Sequence, residues 1–438
     1  MKESEQKYKI TNVSPDKKTS AKDGTKRYSP DRSVSSGVVR RSETAITPAS
    51  IKDRKYERVT TGVDRVFLIL VLTLLAIGSV MMFSASFVYA ANETGDSLYY
   101  IKRHLAFVAI GFLFMLFTYL WPYTAYKKYA EVIFGIGCIF LVAVLVIGVA
   151  EGSAVRWIRI GSLFTFQPSD FMKPAIVVLL AKYFDKKDNL KENSKFDKYI
   201  GPIHITKSFV YDAAIPFIVI GIACGLVMLE HHLSGTLIIG FLGIMVMIAG
   251  GGSVKWIGIF GGVAASALGV LLWFGNGYQS GRIKIWLNPE AFPRDGGWQT
   301  IQGLYAIGSG GLLGVGLGNS RLKYGYTSMP HNDFIFSIVC EELGFVGAVA
   351  IMCIFALLVW RGMVIAMHAP DKFSSLLALG ITGQVAIQVL LNIGVVTNTL
   401  PNTGISLPFF SYGGTAMVIL MAEMGVMLKI SKHSYQKK

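Results

Sequence analysis

The chain has 438 residues, 52% of them hydrophobic and only 16% charged, with 42 Lys or Arg against 27 Asp or Glu and a formal net charge of +15. That balance, with a positive mean hydropathy, excludes one or several soluble catalytic domains and points to a membrane protein. The positive charge is not read as a nucleic-acid footprint, because Lys and Arg gather beside membrane spans on the cytoplasmic side and meet anionic lipid there.

In chain order, residues 1–65 carry 16 Lys or Arg against 9 Asp or Glu, with many Ser, Thr and Pro and few large apolar side chains. Such a segment buries too little surface to fold alone. It lacks the apolar core of a secretory leader, so it is expected to be a disordered, retained cytoplasmic tail. From Val66 onward, apolar runs long enough to cross about 30 Å of hydrocarbon recur. They predict ten spans near 66–90, 104–124, 130–150, 168–184, 209–229, 233–251, 255–275, 334–360, 375–399 and 407–429. The expected fold is all-α and polytopic over residues 66–430, with 431–438 as a second cytoplasmic tail. An even count puts both termini on one side. Lys127, Lys128, the Lys-rich stretch 182–207, Lys255, Arg361 and Lys372 then fall on that same side. The short span at 168–184 opens with Gln167-Pro168-Ser169-Asp170, so part of it is expected to be enclosed by protein.

The outer connection 276–333 breaks the pattern, since loops of that length are uncommon unless they are functional. It also carries Arg282, Lys284, Arg294, Arg321 and Lys323 on the side where topology does not favour positive charge. That invites an anionic substrate. Cys138, Cys224, Cys340 and Cys353 lie in apolar segments without paired spacing and are read as packing residues.

Several motifs admit a bland and a chemical reading. The run GSGGLLGVGLGNS from Gly308 has neither the strand of a dinucleotide fingerprint nor the Gly-Lys-Ser/Thr ending of a phosphate loop, so close packing and re-entrant backbone are expected instead. His231 and His232 follow Glu230 at a tight bend with no third ligand nearby, which argues against a metal site. Asn92-Glu93-Thr94 is read as a chance sequon. Asp170 and Lys173, three apart, share a helical face as an ion pair. Gln384, Gln388 and Asn392 recur every four residues as a stripe that either glues helices or lines a wet cavity.

Four blocks then stand in order: RWIRIGSLFTFQPSDFMKPA, GWQTIQGLYAIGSGGLLGVGLGNS, HNDFIFSIVCEELGFVGA and LPFFSYGGTA. Together they resemble the SEDS family (shape, elongation, division and sporulation), most of all its FtsW-type members, over residues from about 64 to 429. The resemblance implies a glycosyltransferase of the bacterial plasma membrane that polymerises lipid II, the undecaprenyl-pyrophosphate-linked disaccharide-pentapeptide, into peptidoglycan. It further implies a class B penicillin-binding protein as partner. A lipid II flippase and a non-catalytic scaffold are the rival readings.

In the family, the loop that reads NPEAFPRDGGWQ here carries an acid where this chain has Phe292, while Pro289, Pro293, Gly297, Trp298 and Gln299 keep the frame. The general base is therefore assigned to Asp295, with Glu290 as the alternative. Arg282 and Lys284, with a divalent cation (Mg or Mn) as a further expectation, would stabilise the departing pyrophosphate in a single inverting displacement. Gln299, Lys323, Arg156, Asp170, Lys173 and Ser411 complete the candidate substrate-binding set. Two milder departures are Asp170, where the family has Glu, and EHHLSGT from Glu230, where it has an acid-bearing PDLGT or PDFGT.

Overall fold

The structure, a computed structural model, describes residues 56–58, 62–151, 154–160, 164–193, 198–200, 203–274, 278–293, 297–326, 329, 331–433 and 435–437. Most of the expected tail lies outside them, and Tyr56–Arg58 pairs antiparallel with Tyr435–Lys437, so the two predicted tails meet through a short strand pair.

Ten helices stand where the ten spans were predicted. They are α1 (Arg65–Thr94), α2 (Tyr99–Leu120), α3 (Ala130–Ile147), α4 (Pro168–Asn193), α5 (Lys207–Leu229), α6 (Leu233–Ala249), α7 (Val254–Phe274), α10 (Ile335–Met367), α11 (Lys372–Val396) and α12 (Gly414–Ser431). Seven of them, α1, α2, α3, α5, α10, α11 and α12, are long and apolar enough among the described residues to cross a membrane. The protein is an all-α, multi-pass membrane protein. The helix α4 carries too much charge for that class, and the reason is visible in its packing: Met172, Ala175, Ile176, Ala181 and Phe184 are fully buried, so it faces protein along much of its length. Within α5 the chain passes through a π-helical turn at Val210–Ala214.

Close helix contacts rest on small residues, as expected where no water drives association. Between α2 and α12, Gly111 lies on Met421, Gly414 on Phe107 and Gly425 on Met115 and Thr118. The Thr118 hydroxyl crosses the interface and donates to the Ala422 carbonyl at 2.8 Å.

The connection 276–333 is not a plain loop. It contains α8 (Tyr278–Leu287), the one-turn Pro289–Ala291 and α9 (Gly297–Ser309). The glycine run then packs against the first turns of α10. That helix is broken at Gly344 (φ 69°, ψ −171°), and a Cβ at Gly310 would collide with the Cys340 carbonyl, one at Gly314 with the Glu342 carbonyl. Backbone amides of Val315 and Gly316 donate to the carbonyls of Glu341 and Glu342 at 3.0 and 3.1 Å. Close approach is what these glycines provide, as the sequence suggested.

A second difference from expectation is a small antiparallel sheet after α3, of β1 (Val149–Glu151), β2 (Ala154–Ile160) and β3 (Phe164–Phe166). Two sets of contacts divide the bundle into ends. At one end Ser234 donates to the Thr403 carbonyl, Trp286 to Asn398 and Thr415 to Thr165, gathering the sheet, α8, the α5–α6 turn and the segment before α12. At the other, Arg361 pairs with Asp64 at 2.7 Å, Lys127 with Asp185 at 2.5 Å and Lys372 with Asp188 at 3.3 Å.

Candidate functional site

The site is built at the end that gathers the sheet and the long connection. Strand alternation sends Arg156 and Arg159 of β2 to opposite faces: Arg159 is exposed, whereas Arg156 is half-buried and faces Glu230 and His232 electrostatically. His232 is buried at the start of α6. Its Nδ1 lies 3.1 Å from the Ser169 hydroxyl and 3.4 Å from Gln167 Nε2, which joins the two departures QPSD and EHHLSGT in one cluster. Burial, then the positive charges of Arg156, Lys173 and Arg282, hold His232 well below its ordinary value, so it is a neutral hydrogen-bonding ring. No group of three or more His, Cys, Asp or Glu side chains able to hold a metal is found among the described residues.

Arg282 and Trp286, four apart on α8, share a face and reach the same segment: Arg282 donates to the Asn402 carbonyl at 2.9 Å and Trp286 to Asn398 at 2.9 Å. Lys284, two residues on from Arg282, is exposed on the other side of the helix. The two cations expected to act together are therefore held apart.

In the loop that follows, the Phe292 amide donates to the Pro289 carbonyl at 3.1 Å, and a Cβ at Gly297 would collide with the carbonyls of Pro289 and Phe292. The frame around Phe292 is thus a closed turn that needs glycine at 297. Phe292 and Gln299 are half-buried and Glu290 is exposed. Asp295 lies outside the described residues.

Lys323 is placed differently from its neighbours in the candidate set. It is buried, donates to the Gly318 carbonyl and pairs with Glu342 at 3.3 Å, while both Glu342 oxygens accept from the Ser84 hydroxyl at 2.7 and 2.8 Å. Glu341 beside it accepts from the Ser320 hydroxyl and from the Arg321 amide at 2.9 Å. The geometry commits Lys323 to fastening the glycine-rich segment rather than to facing a ligand.

Deeper in the bundle Asp170 and Lys173 form the expected pair at 2.6 Å, both buried. They line a cavity of about 40 Å³ with Gln384, Gln388, Ser411 and Leu407. The polar stripe of α11 divides its work. Gln384 and Gln388 face the cavity, whereas Asn392 donates to the carbonyls of Asp333 and Ile405 at 2.9 and 2.7 Å and so glues segments together. Ser411 also fastens backbone, accepting from the Leu407 amide and donating to the Asn332 carbonyl, each at 2.8 Å. Glu423 of α12, which sequence reasoning passed over, is buried and accepts from the cavity-lining Gln384 at 2.9 Å. Its signal was a lone acid inside an apolar span.

A family model described as "Cell cycle protein", covering FtsW, RodA and SpoVE, matches residues 64–436. The stage V sporulation protein E of Bacillus subtilis is 38% identical over 377 residues, spanning 85% of this chain and 98% of its own. The probable peptidoglycan glycosyltransferase FtsW of Trichlorobacter lovleyi is 37% identical over 372 residues, spanning 84% and 93%. Among solved structures, a chain from work described as "Structural coordination of polymerization and crosslinking by a peptidoglycan synthase complex" aligns with TM-score 0.67 and 27% identity over 84% of this chain and 97% of that one. The rod shape determining protein RodA of Thermus thermophilus aligns with TM-score 0.61 and 25% identity over 85% and 98%. A match that runs almost unbroken from the start of α1 past the end of α12, carrying both the bundle and its long connection, places this chain in the FtsW/RodA/SpoVE family of membrane cell cycle proteins.

Proposed function

We propose that this protein is a peptidoglycan glycosyltransferase that polymerises lipid II. The observation that carries the reading is the near-full-length kinship with proteins named as peptidoglycan glycosyltransferases. The positive charges of Arg156 and Arg282 acting on His232 support it, since cations at the end of a membrane bundle suit a lipid-linked pyrophosphate. The Lys- and Arg-rich end of the bundle is cytoplasmic in this reading, with both termini on that side, and the site opens outward. The complex named for one structural relative supports a class B penicillin-binding protein as partner.

In the reaction the bond from the donor's anomeric carbon to pyrophosphate breaks and its electron pair leaves with the pyrophosphate. The acceptor sugar hydroxyl attacks from the opposite face, and its proton passes to a carboxylate of the 288–299 loop, Asp295 in the first place and Glu290 in the second. Arg282 and Arg156 neutralise the leaving group. Lys284 extends the cationic surface of α8 to the approaching headgroup, and Gln299 offers an amide at the start of α9. A Mg or Mn ion belongs to this reading as a companion of the pyrophosphate; no step is routed through it.

Phe292 favours a second reading, a flippase that needs no general base. The purified full-length protein, with its transpeptidase partner, is expected to convert lipid II into glycan strands. Absence of polymer from a folded preparation would overturn the proposal in favour of a flippase or scaffold.

A further inference from the structure

Glu230 is the anomaly of the site. It closes α5 at its C-terminal end, is 1% exposed, and neither carboxyl oxygen has a hydrogen-bond partner among the described residues. Buried polar groups are almost always paired, so an orphaned pair of oxygens in a site calls for an absent partner. The position also opposes a negative charge twice over, through burial and through the partial negative charge of a helix C-terminus.

A neutral carboxylic acid carries one O–H that must find an acceptor, and no protein acceptor is in place among the described residues. The surrounding charges decide what the acceptor is. Arg156 on β2, Lys173 on α4 and Arg282 on α8 all act on the same small region, with Asp170 already paired to Lys173. His231 is exposed on the same turn and His232 is bonded to Ser169. Such a region draws an anion, and an anion's oxygen is the acceptor that a neutral acid lacks.

We propose that Glu230 is a proton-bearing acid of the glycosyl-transfer site, donating its O–H to a non-bridging oxygen of the prenyl pyrophosphate beside Arg156. Its proton stays on the carboxyl throughout; the hydrogen bond strengthens as negative charge collects on the leaving group, so the group stabilises departure without joining the proton balance of the displacement. The physical chemistry agrees in sign: burial pushes the Glu230 carboxyl up to about 8 against the opposing pull of Arg156. The inference rests on the glycosyltransferase reading.

The test is equilibrium binding of undecaprenyl pyrophosphate to the full-length protein in lipid nanodiscs, from about pH 6 to about pH 9.5, beside lipid II polymerisation by the same samples. In the wild type, affinity is expected to weaken above about pH 8, approaching tenfold per pH unit for loss of one proton. Glu230→Gln keeps a donor and has nothing to titrate, so its affinity loses the alkaline fall. Glu230→Ala loses the donor and binds about tenfold more weakly at neutral pH, also without the fall. A flat wild-type profile, or an alkaline fall that persists unchanged in Glu230→Gln, overturns the proposal while wild-type polymerisation leaves the function intact. A wild type that polymerises nothing overturns the function itself. Unfolding temperatures of the variants separate loss of fold from loss of ligand.

Discussion

Replacing Lys323 by Met keeps the stem volume and removes the ammonium, and the consequence can be worked through the contacts of Glu342. The carboxylate would keep the Ser84 hydroxyl at 2.7 and 2.8 Å and the Ser320 amide at 3.3 Å, so it is not left bare. Removing one partner of a buried ion pair costs about 3–5 kcal/mol, and the surviving hydrogen bonds put Lys323→Met near the lower bound, about 3 kcal/mol. Glu342→Leu falls near the upper bound, because it strands an ammonium with only the Gly318 carbonyl and the Ser84 hydroxyl for company. The double variant is expected to recover part of either loss, since an apolar pair of similar volume replaces a buried ion pair at little cost. Thermal unfolding of the full-length protein in detergent, followed by tryptophan fluorescence, reads the stability; lipid II affinity reads the site. If Lys323→Met unfolds with the wild type while its lipid II affinity falls, the structural role argued for Lys323 is wrong and it belongs with the substrate ligands.

Three further outcomes are expected. Asp295→Ala lowers the polymerisation rate by roughly 10²–10⁴-fold, Glu290→Ala matters less, and Phe292→Asp restores activity to Asp295→Ala in part; equal effects of the first two changes would remove the assignment of the base to Asp295. Arg282→Ala weakens lipid II binding more than Lys284→Ala, because only Arg282 sits on the Asn402 segment of the site, and the reverse order in a binding assay contradicts the face assignment of α8. For pH, Glu230 keeps its proton in the folded state up to about 8 while the unfolded chain releases it near 4.5, so the unfolding temperature of the wild type falls relative to Glu230→Gln as pH rises through that window and levels off above it; parallel curves would mean that Glu230 does not hold its proton.

The ten helices were legible because an apolar run of spanning length leaves the backbone no other way to satisfy its hydrogen bonds in hydrocarbon. What escaped was structure set by contacts between distant segments. Gly344 reads as one tolerated glycine in an apolar run, and only the approach of Gly314 makes it a break. Residues 149 and 150 read as the end of the third span and 151–166 as a connection, because three short strands separated by small gaps offer little alternation to detect. In the site, Asp170 and Lys173 followed from helical spacing alone. Arg282 and Lys284 looked like partners in sequence, but α8 turns them to different sides. The acids at 341 and 342 were visible as charges at the head of a span, but their loop partners, Ser320 and Lys323, could be identified only once the glycine-rich segment had been folded back onto α10.

The size of the inner cavity bears on how the substrate is handled. Sites for ligands of drug size occupy roughly 300–1,000 Å³, and a water needs only about 10–15 Å³, so the cavity of about 40 Å³ beside Asp170 and Lys173 admits a few waters and no sugar. Its polar lining fits that tenancy. Lys173 pairs with Asp170 at 2.6 Å and its charge also reaches Glu423, while one oxygen each of Gln384 and Glu423 has no partner among the described residues. Pro174, one turn on, brings no amide to the Asp170 carbonyl, so that carbonyl lacks its helical donor. Ser169 in the first turn of α4 and Gln167 just before it lie within hydrogen-bond distance of His232, outside the lining of this cavity. A flippase would have to pass a disaccharide through the bundle, and the cavity lined by Asp170, Lys173, Phe409 and Leu420 is too small to hold one. The glycosyl transfer proposed above is assigned to the end of the bundle that carries Arg156, Glu230, His232 and Arg282, so it asks for no opening of the Asp170–Lys173 cavity.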